Sequence, residues 1–427
     1  MRPFVIAGRV FVMGVVVFWY LTLYGFGRLR VRLLPRGERA RARARLQGRI
    51  LRRVLTALGA TFIKLGQVLS TRPDLLEPEV IDELKQLQDK LPPFSFERAR
   101  RQIEGDLGGP VEQHFAEIEP APVAAASVAQ VHRGRLADGR VVAVKVLRPD
   151  VRQKVERDAA ILRAGARLVA LHPRARLSDP VGHLEHFVQG IIDQTDLRLE
   201  AAHYETFRRN FEDEPRVRFP EVHPTLSSGN VMTMEFVEGN KVDALPPGDH
   251  RPLALLLQDL VMRMCFEHGF VHADLHPGNF LVLPDGKVVL FDVGLVKRLG
   301  PGLLRQFTDF TRCMTMGDAK DMVAHLKEFH GYVGQLDWDE VERDLEVFLG
   351  HFRQLDVAQL EFGGLVNDLL ALARRHRLRP MAEMVLVLVA LVTIEGVGKS
   401  LHPDRNLFDE TARFLGPLLA RGQGLGA

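Results

Sequence analysis

One stretch constrains the fold of this chain more than any other: residues 272–294, with the sequence HADLHPGNFLVLPDGKVVLFDVG. Two short apolar runs with strand character, residues 280–283 and 288–291, flank the sequence Pro-Asp-Gly at 284–286. Because Pro-Asp-Gly favours a tight turn, this region is predicted to form a β-hairpin between two loops. Three polar side chains stand in those loops: Asp274, Asn279 and Asp292.

These three side chains are of the types that phosphoryl transfer requires. The reaction needs a group that orients the attacking nucleophile, and it needs oxygen ligands for Mg²⁺. Protein kinases supply them as H-R-D-L-x-x-x-N followed by D-F-G. Here His272-x-Asp274-Leu275-x-x-x-Asn279 has that spacing, and Asp292-Val293-Gly294 begins thirteen residues after Asn279. The alternative interpretation is that the Asp and Asn side chains cap two ordinary turns.

Composition places the chain among globular proteins. It has 427 residues, of which 46% are hydrophobic and 26% charged, so it is long enough for two or three domains. The net charge of +3 does not support a general nucleic-acid function, and we expect no nucleic-acid partner. The two cysteines, Cys265 and Cys313, have no zinc-site spacing and fit a reducing compartment.

The N-terminal segment is predicted to attach to a membrane. Residues 10–27 carry no charge, and at about 1.5 Å per residue they extend roughly 27 Å, enough to cross a hydrocarbon core. Eleven arginines and one acidic residue follow between Arg28 and Arg53. The positive-inside rule then places the body of the protein on the cytoplasmic side. We expect a single N-terminal span; an interfacial helix and a buried core helix are the alternatives.

A basic helix and a helical extension follow this segment. Residues 33–58 are Arg- and Ala-rich with helical spacing, and they are predicted to be attracted to anionic lipid. Residues 60–93 predict two helices with a break at 71–78. Lys64 and Gln67 are one turn apart on the first of these helices, with Gly66 between them. From the residues alone, a salt-bridged lysine and a packing glycine are favoured over contact with a ligand.

The next part of the chain has the features of a nucleotide-binding half. Residues 123–146 predict a β-hairpin around Asp138-Gly139. Lys145, in Val-Ala-Val-Lys, matches the strand lysine that kinases pair with phosphates and with a helix glutamate. The preceding loop stands where a kinase keeps its Gly-rich phosphate loop, and its backbone groups are predicted to cap the phosphates: Ala124, Ala125, Ala126 and Ser127.

The carboxylate partner of Lys145 is expected on a long helix at residues 180–211. That pattern places Asp196 and Glu200 on one face, and Glu200 is the predicted partner. A solvated acidic face is the alternative. The apolar run VMTMEFV at residues 231–237 predicts a strand that leads to a hinge, where the backbone at Glu235 and Val237 is expected to meet an adenine. After Gly294 the chain is predicted to be almost entirely helical.

With these motifs in view, the sequence resembles the UbiB/AarF family of atypical protein-kinase-like ATPases, which is tied to the metabolism of quinones and other isoprenoid lipids. The resemblance covers residues 60–300 and rests on KLGQ at 64–67, on the following LSTRPDLL and QLQDKLPP, and on AAASVAQVH and HADLHPGN. It implies a bilobal α+β protein-kinase-like fold, with the helical extension over the nucleotide site.

The resemblance also implies roles for the extension. Lys64 and Gln67 would act at the site, and Lys64 would meet the acidic motif near Asp196. The chain departs from the family at Gln194, where a glutamate is usual.

The predicted organisation has four parts: a membrane segment at 1–32, a basic and helical extension at 33–118, a kinase-like N-lobe at 119–240 and a helical C-lobe at 241–427. The predicted function is ATP- and Mg²⁺-dependent phosphoryl transfer or hydrolysis at the cytoplasmic membrane face, supporting quinone or isoprenoid-lipid metabolism. Expected partners are anionic and isoprenoid lipids and quinone-biosynthesis enzymes. The alternatives are a small-molecule or lipid kinase and a non-catalytic ATP-binding scaffold.

The predicted site assigns a role to each polar anchor. Asn279 and Asp292 hold Mg²⁺, and Asp274 positions the attacking hydroxyl or water. Lys145, held by Glu200, neutralises the phosphates.

Overall fold

The chain divides into two compact units. A computed structural model describes residues 3–70, 76–87, 92–171, 180–246, 248–316, 319–329, 331–332, 335–354, 362–379 and 381–402. The first unit is Met1–Thr206 with Pro220–Val237, and the second is Phe207–Phe219 with Glu238–Ala427. Residues 207–219 therefore belong to the second unit, whereas the predicted N-lobe, residues 119–240, includes them.

Helices build the N-terminal part of the first unit. They are α1 (Pro3–Val31), α2 (Arg39–Leu58), α3 (Ala60–Ser70), α4 (Pro78–Leu84) and α5 (Phe96–Leu107). A core of α2, α3 and α4 side chains, including Leu55, Phe62 and Leu84, joins the first four, and Met13 and Val16 of α1 pack against it. The predicted pair of helices between residues 60 and 93 is confirmed. Part of the predicted break, residues 71–75, lies outside the described residues.

A five-stranded antiparallel sheet follows. Its strands are β1 (Glu117–Ile118), β2 (Ala124–Ala125), β3 (Ala129–Arg135), β4 (Val141–Leu147) and, later in the chain, β6 (Val231–Glu235). The order is β1-β3-β4-β6, with β2 also paired to β3. Gly139 adopts a φ of +88° in the turn between β3 and β4, a conformation that glycine tolerates. The predicted hairpin around Asp138-Gly139 is thus confirmed.

The described residues of this region include three more helices: α6 (Val151–Ala170), α7 (Pro180–Asp193) and α8 (Leu197–Asn210). The prediction of one long helix over 180–211 is wrong, because the chain breaks at residues 194–196. Asp196 accepts a hydrogen bond from the Arg198 backbone N–H at 3.2 Å and forms an ion pair with the Arg198 guanidinium at 2.6 Å. An aspartate that accepts from the amide two residues later begins a helix, so Asp196 starts α8 and does not continue α7.

The crossing of α2 and α4 depends on a glycine. A Cβ added to Gly48 would lie 2.9 Å from the Val80 Cα and 3.0 Å from the Glu83 Cβ. We expect Gly48→Ala to lower the free energy of unfolding by about 1–3 kcal/mol, because a backbone atom blocks the added methyl group. Gly105→Ala in α5 is the matched control, since nothing lies within 4 Å of its Cβ; it should stabilise by about 0.5–1 kcal/mol. Denaturant unfolding of both variants tests the difference in sign.

The second unit contains two small sheets close to residues 272–294. The first pairs β5 (Val217–Arg218), β10 (Val288–Leu290), β9 (Phe280–Val282) and β7 (Asn240–Lys241), in that order. The second pairs β8 (Phe270–His272) with β11 (Val296–Arg298). The predicted β9–β10 hairpin is confirmed, and Gly286 in its turn has a φ of +81°. The parallel pairing of β5 with β10 explains why residues 207–219 belong to this unit.

Helices form the rest of the second unit. They are α9 (Arg251–Phe266), α10 (Pro301–Met316), α11 (Ala319–Phe329), α12 (Trp338–Gln354), α13 (Phe362–Arg375) and α14 (Ala382–Leu401), with a short ladder of β12 (Gly331–Tyr332) and β13 (Leu378–Arg379). The core includes Met322, Val341 and Leu345 from adjacent helices. The helical character expected after Gly294 is confirmed for the described part of this region, and residues 403–427 lie outside the described residues.

Two of the described helices are long and apolar enough to cross a membrane. One covers Ala7–Val31, and none of its most apolar window is buried. The other covers Glu383–Leu401, and 61% of its window is buried. The burial of the second supports its interpretation as a core helix.

Candidate active site

In the first unit, the predicted ion pair between Lys145 and Glu200 is present. The Lys145 Nζ lies 2.7 Å from Oε1 and 2.8 Å from Oε2 of Glu200. The side chains are 13% and 6% exposed. A pair so shielded from water holds its geometry firmly, because separating the charges would leave each of them buried alone.

The elements that carry this pair explain its geometry. Val144 and Val146 flank Lys145 on β4, and both are fully buried; since side chains alternate along a strand, Lys145 points to the opposite face. Glu200 lies in the first turn of α8, where the helix dipole favours a carboxylate. The Glu200 carboxylate, held by its position on α8, therefore fixes the position of the Lys145 amine.

The Ala-rich loop is held by its own neighbours. Ala124 and Ala125 form β2 against β3, and the Ala126 N–H donates to the Ala129 carbonyl at 2.8 Å. Arg148, a residue that the sequence analysis missed, donates from Nε to the Ala126 carbonyl at 2.9 Å. Ser127 is fully buried. Phosphate capping by this loop stays a prediction, and the Ala126 N–H is already engaged within the turn.

A buried network supports the strand that follows this loop. Gln130 accepts from the Phe94 N–H through Oε1 at 3.0 Å, which leaves its amide group to donate to His132 Nε2 at 2.8 Å. His132 in turn donates from Nδ1 to the Glu119 carbonyl at 2.8 Å. The ring therefore has to be the neutral Nδ1–H tautomer, since its Nε2 accepts.

This network predicts a specific loss of stability in acid. Burial lowers the pKa of His132 below its usual 6.5, against the opposing effect of the Glu119 hydrogen bond. Below about pH 6.5 the unfolded chain binds a proton that the folded chain excludes, so stability falls as the pH drops toward the depressed folded pKa. The contribution of His132 to the slope should reach about 1.4 kcal/mol per pH unit at most. Denaturant unfolding between pH 5 and 8 measures it.

Gln130→Glu is the matched variant for this prediction. A carboxylate beside Nε2 would accept a hydrogen bond from the imidazolium and raise the pKa of His132. The variant should therefore lose less stability than the original protein over the same pH interval. An identical pH dependence in the two proteins would contradict the contact between residue 130 and the His132 ring.

The extension that carries Lys64 is tightly packed. Lys64 is 9% exposed, and α3 packs against α6 and α7. A Cβ on Gly66 would clash with Leu87 Cδ1 and lie 2.7 Å from Leu55 Cδ1, so this glycine permits close packing. Gln67 donates to the Leu87 carbonyl at 3.5 Å. The roles of Lys64 and Gln67 at the site, and the coupling of Lys64 to Asp196, stay predictions.

The strand at the predicted hinge is present as well. Glu235 is the last residue of β6 and pairs with Val142, and the Phe236 N–H donates to the Val141 carbonyl at 3.4 Å. Val237 follows, half-buried, at the end of the first unit. Contact of Glu235 and Val237 with an adenine stays a prediction.

In the second unit, hydrogen bonds tie the predicted polar anchors together. Asn279 is 3% exposed, and its Nδ2 donates to the Asp274 carbonyl at 3.0 Å. The Phe291 N–H donates to the Asn279 carbonyl at 3.0 Å. These bonds fix the Asn279 side chain in a direction set by the loop of Asp274.

His272 joins the same two loops. The Asp274 N–H donates to His272 Nδ1 at 3.1 Å, and the opposite ring nitrogen, Nε2, donates to the Asp292 carbonyl at 3.0 Å. The ring is fully buried, and burial lowers the pKa of His272 despite the nearby carboxylates. A neutral imidazole with its proton on Nε2 makes both bonds, so His272 positions Asp274 relative to Asp292.

Asp292 has an unusual backbone conformation. Its φ is +58°, in the left-handed region that residues with a Cβ seldom adopt. The residue is exposed, whereas Val293 after it is fully buried. Strained backbone of this kind concentrates at functional sites, and here it presents the Asp292 carboxylate to solvent.

The donor set fits Mg²⁺ held jointly with a nucleotide. Among the described residues, no group of three or more His, Cys, Asp or Glu side chains could hold a metal ion. Mg²⁺ is commonly bound by one or two protein carboxylates together with water and substrate phosphates. The Asn279 side-chain oxygen and the Asp292 carboxylate would supply the protein ligands, and when bound the ion would neutralise phosphate charge.

Comparison with known families agrees with this geometry. Residues 86–326 match the ABC1 atypical kinase-like domain, which is more than half of the chain. The chain belongs to the ABC1 atypical kinase-like family. Residues 345–406 match the UbiB helical domain. The resemblance inferred from the sequence is therefore confirmed, as is the kinase-like α+β fold class.

Individual relatives cover most of the chain. "Probable protein kinase UbiB" of Vibrio parahaemolyticus is 34% identical over 380 residues, covering 86% of this chain and 70% of that protein. An uncharacterized protein of Synechocystis sp. is 34% identical over 376 residues, covering 86% of this chain and 64% of that protein. The chain thus spans less than two thirds of the Synechocystis relative. The structure of Rv3197 with erythromycin, from Mycobacterium tuberculosis, gives a TM-score of 0.46 at 24% identity, covering 80% of this chain and 91% of that one.

Proposed function

We propose that this member of the ABC1 family binds ATP with Mg²⁺ and transfers or hydrolyses the terminal phosphoryl group. Asp274 orients the attacking hydroxyl or water. Asn279 and Asp292 hold the metal, and the amine of Lys145, fixed by Glu200, neutralises phosphate charge. Positioning and charge stabilisation are what phosphoryl transfer demands of a protein.

The observation that carries this proposal is the double hydrogen bond of His272. One buried ring binds the amide of Asp274 and the carbonyl of Asp292 at 3.1 and 3.0 Å. Asn279 is bound to the same loop at 3.0 Å. Two loops whose side chains only cap turns would not need one buried histidine that hydrogen-bonds to both. The arrangement therefore favours a preorganised functional site over the turn-capping alternative.

We further propose that the enzyme works at the cytoplasmic face of a membrane and supports quinone or other isoprenoid-lipid metabolism, together with enzymes of that metabolism. Two observations support this part. The relatives named UbiB share the family, and α1 includes a segment, Ala7–Val31, long and apolar enough to reach through a bilayer. The arginines after it would face anionic lipid.

ATP hydrolysis by the purified protein tests the proposal. It is measured with and without Mg²⁺, with and without anionic liposomes, and with isoprenoid-lipid precursors. We expect Mg²⁺-dependent turnover that increases with liposomes. Nucleotide binding without turnover under every lipid condition would favour the scaffold alternative. Phosphorylation of a soluble small molecule without any effect of membranes would favour the small-molecule kinase.

A further inference from the structure

Helix α1 lies alongside the arginine-rich helix α2 in an antiparallel pair. Near its start, Arg9 donates to the Leu58 carbonyl at the end of α2 at 2.7 Å. Near its other end, a Cβ on Gly27 would lie 2.7 Å from the Leu46 side chain. The two helices are therefore packed together over much of the length of α1.

The first turns of α1 are also anchored by charge. The Arg9 guanidinium makes two hydrogen bonds to the Asp158 carboxylate of α6, at 2.9 and 3.0 Å, and Asp158 is 3% exposed. Arg9 also lies over the Phe62 ring, 5.8 Å from its centroid. Pulling α1 away from this unit would remove the closer cation from the buried Asp158 carboxylate, leaving Arg157 at 3.8 Å, which is unfavourable.

The opposite face of α1 is apolar and open. Its large exposed side chains include six that recur at helical spacing and are each more than half exposed: Phe11, Val15, Phe18, Trp19, Phe26 and Leu29. A continuous apolar face of this length is characteristic of a surface that binds a membrane or another protein.

The exposed arginines of α2 distinguish between two orientations of α1: crossing the bilayer and lying in its interface. Arg43, Arg45 and Arg53 are exposed on α2. If α1 crossed the hydrocarbon while packed as observed, these guanidinium groups would enter the bilayer with it, and each is costly there. With α1 in the plane of the interface, the same arginines lie at the level of the lipid phosphates.

We infer that α1 and α2 form a membrane-docking hairpin, with α1 lying flat in the interface of an anionic bilayer and not crossing it. This inference rests on the membrane association proposed above and specifies its geometry. Basic residues beside an apolar helical face match an anionic lipid surface, which offers phosphate charge directly above hydrocarbon.

Depth measurements on the full-length protein test the orientation. The chain has two tryptophans, and Trp19→Phe with Trp338→Phe removes both. A single tryptophan is then introduced at one position of α1 in each of three variants: Phe11→Trp, Phe18→Trp and Phe26→Trp. Each is bound to phosphatidylglycerol–phosphatidylcholine vesicles that contain lipids brominated at known depths. An in-plane helix gives one shallow depth, about 5–10 Å, at all three sites. A spanning helix places position 18 near the bilayer centre, about 10–12 Å deeper than its neighbours.

Either of two other results would overturn the inference. A tryptophan at position 18 that is much deeper than those at 11 and 26 would show a span. Absence of quenching at all three positions would show that this face does not enter the bilayer. Turnover of ATP in the same samples tests the proposed function separately, because the depth readout needs no nucleotide.

The contribution of charge has its own test. Arg43→Gln with Arg45→Gln should weaken binding to the anionic vesicles about 25-fold, roughly fivefold for each arginine. Binding to purely zwitterionic vesicles should not change. Arg98→Gln with Arg101→Gln, two exposed arginines of α5, is the matched control and should bind as the original protein does. Equal weakening by both double variants would overturn the assignment to α2.

Discussion

Replacing Asp292 by asparagine is expected to lower ATP turnover by about 10²- to 10³-fold while the fold survives. In the proposed site Asp292 holds the metal beside the phosphates, so the substitution removes a fixed charge there, and one such electrostatic contact typically contributes that factor. The fold should survive because Asp292 is exposed and its contact with His272 uses the backbone carbonyl, which the substitution retains. Steady-state ATP hydrolysis and thermal unfolding of the same preparation measure the two effects.

The backbone of Asp292 makes asparagine the proper replacement. Asparagine tolerates the left-handed conformation at a φ of +58°, whereas alanine would add strain of about 1–2 kcal/mol. Asp285→Asn is the matched control. Asp285 lies in the turn between β9 and β10; its side chain is 51% exposed and pairs with Lys287. Turnover should be unchanged there. Unchanged turnover in Asp292→Asn would reject the metal-binding role.

Features with local causes were predictable from the sequence. The β9–β10 hairpin follows from two apolar runs around Pro284-Asp285-Gly286, and β3–β4 from Asp138-Gly139. The Lys145–Glu200 pair was also anticipated, across 55 residues, because Val-Ala-Val-Lys matches the kinase strand lysine, which pairs with a helix glutamate.

Features that depend on distant partners were not predictable in this way. Gln130 hydrogen-bonds Phe94 across 36 residues, and Arg9 meets Asp158 across 149 residues, and no local pattern specifies either contact. The break between α7 and α8 was missed for a different reason. The helical periodicity continues through Asp196, and only its side-chain bond to the Arg198 amide reveals that it begins a new helix.

Replacing either Lys145 or Glu200 is expected to lower the free energy of unfolding more than the other single substitutions proposed above. Lys145→Met leaves the Glu200 carboxylate buried, and Glu200→Gln leaves the ammonium group shielded from water without its charge partner. Either change should lower the free energy of unfolding by about 3–5 kcal/mol, the usual consequence of removing one partner of a buried ion pair. Denaturant unfolding measures the loss, and ATP turnover should also fall in both variants.

The double variant Lys145→Met, Glu200→Gln separates stability from function. Because both charges of the pair are then removed together, much of the lost stability should return, while ATP turnover stays low because the amine is gone. Arg163→Met is the control: Arg163 pairs with Glu185 at 2.6–2.7 Å with side chains 31% and 50% exposed, and its loss should cost at most about 1 kcal/mol. A stable double variant with full turnover would show that the pair supports the fold alone. A stable but inactive double variant would show that Lys145 is required for ATP turnover and that uncharged side chains at these two positions support the fold equally well.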